Sequence, residues 1–186
     1  MVWIFAATYF SWFFSEVFLS LSRRSKTSEK QNADKGSLGL IWTIIIVANF
    51  VAFYVAALFP MPIAESANIK YVGLAIIVVG VILRYSIVSS LGKYFTVNVS
   101  IAEDHKLKTD GFYKYLRHPS YSASLLSFAG YGISLNNWIS LVLIVVAVST
   151  AFLIRIRIEE EVLMGYFGEA YQDYKRKTKR LIPLIY

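Results

Sequence analysis

Two stretches of the sequence concentrate residue types that could bind a ligand or take part in chemistry. The first, residues 98–121, holds both histidines of the chain, His105 and His118, and ends in Arg-His-Pro-Ser-Tyr. The second begins at Arg155 and reaches Glu159 four residues later. Residues four apart share a face of a helix, so this arginine and this glutamate can pair or can hold two ends of one ligand.

Arg155 and Glu159 could form an interfacial stop signal, in which the arginine anchors the helix and the glutamate is solvated, or they could bind a ligand. As ligand-binding groups, these residue types favour a carboxylate. A guanidinium such as that of Arg155 can bind a carboxylate through two parallel hydrogen bonds. Pro119 fits the first turn of a helix, whose free backbone N–H groups attract anions. His118 could equally be a helix cap or an interface residue. The chain has no cysteine, and two histidines are too few for a histidine-rich cluster, so we predict no metal site.

The composition indicates a membrane protein that must position these residues at its surface. Hydrophobic residues make up 56% of the 186 residues and charged residues 17%, and the mean hydropathy is +0.53. Soluble domains are more polar. Apolar runs predict an all-α integral membrane protein with five transmembrane helices. The predicted spans are residues 1–21, 38–59, 71–91, 121–135 and 138–154, the last two forming a tight hairpin through Asn136 and Asn137.

The distribution of positive charge predicts the orientation of these spans. The chain has 19 Lys and Arg residues against 12 Asp and Glu, a net charge of +7. All the basic residues except Lys70 and Arg84 fall in loops 22–37 and 92–120 or after the last span. The positive-inside rule makes that side cytoplasmic, with the N-terminus outside and the C-terminus inside. The charge is then explained by a membrane surface, which argues against nucleic acid as a partner.

Two charged residues interrupt the apolar runs. Glu16 and Arg84 lie at similar depths below the cytoplasmic surface, and we expect them to pair across the bundle. The sequence leaves two readings open: a structural or snorkelling role, or a polar wall of a cavity.

We divide the chain into two regions. Residues 1–91 form a three-helix membrane scaffold with a cytoplasmic loop at 22–37. Residues 92–186 form a catalytic region with a cytoplasmic ligand-binding loop, the hairpin 121–154 and a C-terminal amphipathic helix at the membrane edge. Five basic residues between 175 and 180 suit anionic lipid head groups.

Several motifs in the second region resemble those of the isoprenylcysteine carboxyl methyltransferase family. Arg117-His118-Pro119-Ser120-Tyr121 resembles its RHPxY motif, and His105-x-Leu107 with Gly111-x-Tyr113 resembles the stretch before it. The tail from Glu160 through Leu163, Phe167-Gly168, Tyr171 and Tyr174 to Arg180 and Pro183 is similar to the C-terminal signature. The matches cover residues 98–183, and the compact first half resembles a prokaryotic member, which we expect to be archaeal.

The resemblance implies S-adenosylmethionine as methyl donor and the carboxylate of a prenylated C-terminal cysteine, entering from the bilayer, as acceptor. It implies that Arg155 binds the substrate carboxylate and that Glu159 closes the site. The residues it assigns to the cofactor pocket are Asn98, His105, Lys106, Leu107, Lys108, Tyr113, His118, Pro119, Ser120, Tyr121 and Glu159.

The chemistry agrees with such a reaction, because a carboxylate is ionised at neutral pH and its methylation needs no general base. Our hypothesis is therefore a carboxyl O-methyltransferase for a prenylated cysteine or a similar lipophilic acid. A phospholipid or other small-lipid methyltransferase is an alternative, although Arg155 would be a poor neighbour for a cationic acceptor. An NADPH-dependent membrane reductase of the sterol type is another, since it shares the RHPxY-like element. A non-catalytic scaffold or transporter ranks last, since the polar residues lie at one side of the membrane.

Overall fold

The computed structural model describes residues 2–22, 37–92 and 107–182, and these residues are nearly all helical. A short 3-10 helix, Gly111–Lys114, precedes α4. The α-helices are α1 (Val2–Ser22), α2 (Ser37–Leu58), α3 (Ile69–Leu91), α4 (Pro119–Ser134), α5 (Trp138–Phe167) and α6 (Glu169–Lys177). Each long helix begins and ends within a few residues of the ends of a predicted apolar run, with one exception. Helix α5 begins at the predicted residue but continues well beyond the predicted end.

Two contacts between α2 and α5 show the relative direction of these helices. The Ser140 hydroxyl on α5 donates to the Ala52 carbonyl on α2 at 2.7 Å, and Arg155 donates to the Ser37 hydroxyl at the other end of the pair. These two helices are therefore antiparallel. The aromatic contact between Trp12 and Phe128, with centroids 4.8 Å apart, joins α1 to α4 in the apolar core.

Helices α3 and α4 pack closely because small residues line their contact. A Cβ added to Gly130 would lie 2.8 Å from the Gly73 carbonyl oxygen and 2.8 Å from the Ile77 nitrogen, which is too close for any side chain. Small residues of this kind let helix backbones approach each other in membranes. The close packing positions the N-terminal turn of α4 beside the C-terminal half of α3.

Four of the described helices, α1, α2, α3 and α5, are long and apolar enough to cross a membrane. Helix α4 has only 16 residues, which is below the usual length of a spanning helix. The fifth span therefore stays a prediction, as do the orientation and the division at residue 91.

The predicted hairpin turn is present and joins a second loop. The Asn137 side chain caps α5 by accepting from the Ser140 N–H at 3.0 Å, and it donates to the Phe59 carbonyl at 2.7 Å. Asn136, with φ of 50°, accepts from the N–H groups of Ile63 and Ala64. These amides tie the α4–α5 turn to the α2–α3 loop.

The C-terminal part differs from the single amphipathic helix that the sequence predicts. Helix α5 runs without interruption to Phe167 and then ends at Gly168, which has φ of 53°. This left-handed conformation suits glycine, and it redirects the chain into the separate short helix α6. The chain after α6 then forms an isolated parallel bridge between Lys179 and Leu116.

Candidate active site

A cavity of about 520 Å³ lies among the helices and has two chemically different ends. Side chains from α1, α2 and α4 form an apolar end, including Trp12, Phe13, Ile41, Trp42, Ile45 and Phe128. The loop before α4, the extension of α5 and helix α6 form a polar end, including His118, Tyr121, Arg155, Glu159 and Tyr171. Such a cavity suits a molecule with a lipophilic part and a charged part.

Arg155 and Glu159 belong to the polar end, and Arg155 lies one helical turn after Phe152, a residue of the apolar core that also lines the cavity. The Arg155 Nε lies 3.4 Å from a Glu159 carboxylate oxygen, so the two residues form the i, i+4 pair that is one of the two arrangements the sequence allows. The Tyr121 hydroxyl donates to the same Glu159 oxygen at 2.5 Å, and its ring packs on Phe152 with centroids 4.9 Å apart. Arg155 is only 1% exposed, and its contact with Ser37 fixes it from the start of α2.

His118 lies between two carboxylates. Its Nδ1 is 3.4 Å from Glu159, and its Nε2 is 3.5 Å from Glu160 without hydrogen-bond geometry. Burial lowers the pKa of His118, but the two carboxylates outweigh that effect and raise the pKa above its ordinary value. The two glutamates therefore favour the protonated form of the His118 side chain that lies between them.

Glu160 does not line the cavity but is the centre of an adjoining cluster, which we call the clasp. Its carboxylate accepts from the Arg117 Nε at 2.8 Å and from the Arg180 Nη2 at 2.8 Å, and Lys175 lies 3.8 Å away. Arg117 also donates to the carbonyl of Thr178. The clasp thus ties the loop before α4 to the end of α6 and the tail.

Backbone contacts reinforce the clasp. The N–H groups of Arg117 and His118 donate to the carbonyls of Lys179 at 2.8 Å and Arg180 at 3.1 Å. The Tyr174 hydroxyl donates to the Tyr113 carbonyl at 2.6 Å. The tail therefore fixes the backbone of the loop that carries His118, which positions the polar end of the cavity.

Comparisons with known proteins point to one family. The model of the phospholipid methyltransferase family matches residues 69–170. A protein named "Probable protein-S-isoprenylcysteine O-methyltransferase" from Oryza sativa subsp. indica is 30% identical over 98% of this chain and 96% of its own length. Protein-S-isoprenylcysteine O-methyltransferase B of Arabidopsis thaliana is 36% identical over 61% of this chain and 58% of its own length.

A solved structure agrees with these relatives. The structure of the eukaryotic intramembrane Ras methyltransferase, an isoprenylcysteine carboxyl methyltransferase, has a TM-score of 0.65 and 32% identity, covering 77% of this chain and 52% of that one. The chain belongs to the isoprenylcysteine carboxyl methyltransferase family. It is an integral membrane methyltransferase of that class, which confirms the family resemblance of the RHPxY and tail motifs.

Many of the residues that the sequence assigned to this methyltransferase's site lie around the cavity. Pro119 is buried at the first position of α4, and its neighbours in the motif face the ligand space. The assigned residues that line the cavity are Leu107, Lys108, Tyr113, His118, Ser120, Tyr121, Arg155 and Glu159. Three assigned residues, Asn98, His105 and Lys106, lie outside the described residues, so their assignment stays a prediction.

The predicted pair of Glu16 and Arg84 is also present. The Arg84 Nε lies 3.0 Å from a Glu16 oxygen, and both residues line the cavity of the methyltransferase. Arg84 in addition donates to the Ser120 carbonyl at 3.0 Å. The pair therefore links three helices and also lines the cavity. The sequence left open a structural pair or a polar cavity wall, and the two residues have both positions.

Sequence reasoning missed several residues that line the cavity. Tyr171 is 1% exposed and lines the cavity, and its hydroxyl has no hydrogen-bond partner among the described residues. The tail motif contained this tyrosine, but nothing in the spacing showed that it turns back toward the cavity. Trp12 and Ser124 were missed because each stands in an apolar run where a single tryptophan or serine is ordinary.

Proposed function

We propose that this methyltransferase transfers a methyl group from S-adenosylmethionine to the carboxylate of a prenylated cysteine or a similar lipophilic acid. The observation that carries the proposal is the position of Arg155, a buried cation at the polar end of a cavity whose other end is apolar. An acceptor with a lipid chain next to a carboxylate would place these two parts at these two ends.

The residues around Arg155 suit an acceptor that is already an anion. The cations around this end of the cavity outnumber the two carboxylates of Glu159 and Glu160, which leaves an excess of positive charge for a carboxylate; these cations are Arg117, Arg155, Lys175 and Arg180. The Arg155 guanidinium can hold that carboxylate through paired hydrogen bonds. Because the carboxylate needs no deprotonation, the protein's task is orientation and the exclusion of water.

The polar end also suits the amino-acid part of S-adenosylmethionine, whose sulfonium supplies an electrophilic methyl group when it is bound. The Tyr171 hydroxyl is buried without a partner, and burial raises its pKa, so it stays a hydrogen-bond donor. Tyr113 and Tyr121 add aromatic surface, and Glu159 is an acceptor for an ammonium group. We expect Leu107 and Lys108 to contribute contacts from the loop before the 3-10 helix.

The placement of the polar end also supports the predicted orientation. The start of α2, the end of α3, the start of α4 and the extension of α5 meet there, so one membrane face carries the site. We propose that this face is cytoplasmic, because the described helix ends that border the basic segments 22–37 and 92–120 lie on it and a soluble methyl donor is made in the cytosol. The lipid chain of the acceptor would then enter from the bilayer.

A methyl-transfer assay tests the proposal. The purified protein in lipid vesicles would receive methyl-labelled donor and N-acetyl-S-farnesylcysteine, and the product would be treated with base. A carboxyl methyl ester releases labelled methanol under base, whereas an N-methyl product does not. We expect base-labile label that appears only when the acceptor is present. If adding the acceptor produces no such label, the proposal is overturned.

A phospholipid acceptor is the second candidate, because the matched family model carries that name. Glu16 and Glu159, both on the cavity wall, are the acidic groups that an amine head group would contact. Base-stable label in an aminophospholipid, without label in the farnesylated acid, would favour this candidate. The relatives reported above are methyltransferases, so the reductase hypothesis is not carried forward.

A further inference from the structure

Two side chains on the cavity wall have buried polar atoms without a partner. Trp12, on α1, is 8% exposed, and Ser124, on α4, is 2% exposed. The Trp12 Nε1 and the Ser124 Oγ have no hydrogen-bond partner among the described residues, and both residues line the cavity. A buried donor without a partner costs about 1–3 kcal/mol, so a bound ligand atom would remove an existing penalty.

The Ser124 hydroxyl differs in this respect from other serines of α4. The hydroxyls of Ser122, Ser127 and Ser134 each donate to a backbone carbonyl. For Ser124, the ordinary acceptor is the carbonyl four residues earlier, that of Ser120. That carbonyl accepts from Arg84 at 3.0 Å, and the Ser124 hydroxyl makes no bond to it. The Ser124 hydroxyl therefore remains a donor that a ligand could use.

Arg84 shows that Trp12 and Ser124 belong to one wall. It joins Glu16 on α1 to Ser120 on α4. Trp12 lies one helical turn before Glu16 on the same face of α1, and Ser124 lies one turn after Ser120 on the same face of α4. Both residues are therefore deeper in the bundle than the Glu16–Arg84 pair. The Trp12 ring indeed packs on Phe128, one further turn along α4, with centroids 4.8 Å apart.

This wall offers donors but little net charge. An indole N–H can only donate, and the Arg84 charge is already paired with Glu16 at 3.0 Å. By contrast, the wall with Arg155 and His118 adjoins the clasp, where Arg117, Lys175 and Arg180 outnumber Glu160, so positive charge is in excess there. A carboxylate is therefore favoured beside Arg155, whereas a neutral oxygen acceptor suits the donors of Trp12, Arg84 and Ser124.

We propose that Trp12, Arg84 and Ser124 bind the amide carbonyl oxygen of the acceptor's cysteine while Arg155 holds its carboxylate. This inference rests on the proposed function. The subsite would distinguish a cysteine attached to a peptide from a simple prenylated acid. Trp12 and Ser124 would then be specificity-determining residues, and the Glu16–Arg84 pair would orient the donor wall.

Two acceptors that differ in the amide alone test the inference. N-acetyl-S-farnesylcysteine has the amide, whereas S-farnesylthiopropionic acid keeps the thioether, the chain and the carboxylate without it. The measurement is the ratio of kcat/KM for the first acceptor to kcat/KM for the second. General damage to the protein lowers both values and leaves the ratio unchanged.

We expect Trp12→Phe and Ser124→Ala each to lower this ratio about threefold, the value of one neutral hydrogen bond. Arg84→Gln should lower it about tenfold, because a charged donor is lost. Trp138→Phe and Ser86→Ala are matched controls, since Trp138 is exposed and the Ser86 hydroxyl donates to the Ile82 carbonyl on an exposed face. Both controls should keep the wild-type ratio.

An unchanged ratio in Trp12→Phe and Ser124→Ala, with wild-type protein active on both acceptors, would overturn the inference and leave the proposed function standing. If Arg84→Gln does not fold, these two variants still decide the question. Wild-type protein that methylates neither acceptor would instead remove the proposed function, and the inference with it.

Discussion

Glu159 and Glu160 are adjacent in the chain, yet they belong to different parts of the molecule. Glu159 lines the cavity and contacts Tyr121 and Arg155. Glu160 is only 4% exposed and contacts Arg117 and Arg180 in the clasp. Successive helical residues point about 100° apart, so one helix serves both parts at once.

Burial and the number of ion-pair partners distinguish the two carboxylates, and they indicate which one we expect to stabilise the fold and which one we expect to act on a ligand. Besides His118, the Glu160 carboxylate has one lysine and two arginines near it, from the loop, α6 and the tail, so it is bound within the protein. Glu159 is 22% exposed at its side chain and borders ligand space. We therefore expect Glu160 to determine stability and Glu159 to determine activity.

Removing the carboxylate of the clasp gives the largest expected effect. Glu160→Ala leaves Arg117 and Arg180 without their buried partner, and breaking a buried ion pair costs about 3–5 kcal/mol. We expect a strongly lowered Tm in thermal unfolding of the detergent-solubilised protein. Glu161→Gln is the matched control, because Glu161 is exposed. Equal Tm values for the two variants would contradict a stabilising clasp.

Arg155→Lys tests the expectation that residues lining the cavity determine activity. Lysine keeps the charge but loses the paired hydrogen bonds of the guanidinium, so we expect kcat/KM to fall about 100-fold, equal to about 2.7 kcal/mol. The Tm should change far less than in Glu160→Ala. Arg157→Lys, two residues away and exposed, should retain wild-type kinetics. A variant at Arg155 with unchanged kcat/KM would remove this residue from the site.

Glu159→Gln should have a smaller effect on the same assay. The amide keeps an acceptor for the Tyr121 hydroxyl but loses the attraction to Arg155 and His118, so we expect kcat/KM to fall about tenfold. Binding of the methyl donor, measured by calorimetry, should weaken in parallel. A loss of Tm as large as that of Glu160→Ala would show that the two glutamates do not have separate roles.

The pH dependence of stability gives the smallest expected effect and concerns His118, which both glutamates share. Because its pKa is raised in the folded protein, its contribution is fully present below its ordinary value of about 6.5. That contribution is lost as the pH rises through the raised pKa. We expect Tm to fall over this range, and His118→Gln to flatten the dependence. Identical pH profiles would disprove the charged bridge.

Local patterns in the sequence predicted much of the fold. The apolar runs located the long helices, and the Asn136-Asn137 pair located the turn, because hydropathy and turn chemistry are local properties. The spacing of Arg155 and Glu159 predicted their pairing for the same reason. The depths of Glu16 and Arg84 were enough to predict a contact between two helices.

Long-range contacts account for what the sequence did not reveal. Glu160 meets Arg117 across 43 residues, and Arg117 meets Thr178 across 61, and no spacing rule links such positions. The break at Gly168 was missed because the amphipathic pattern continues on both sides of it. Three of the basic residues after 174 form ion pairs within the protein, with Glu160 or Asp173, and are thus only partly available to lipid.

The backbone hydrogen bonds between the loop before α4 and the tail also have a consequence for biosynthesis. The ribosome makes Arg117 and His118 well before Lys179 and Arg180, whose carbonyls accept their backbone N–H groups. At about 5–20 residues per second, the interval of 61 residues between Arg117 and Thr178 takes roughly 3–12 s. During that time the membrane helices can insert, but the loop before α4 has no clasp. We therefore expect this loop to be fixed late, after the earlier helices are already in the membrane.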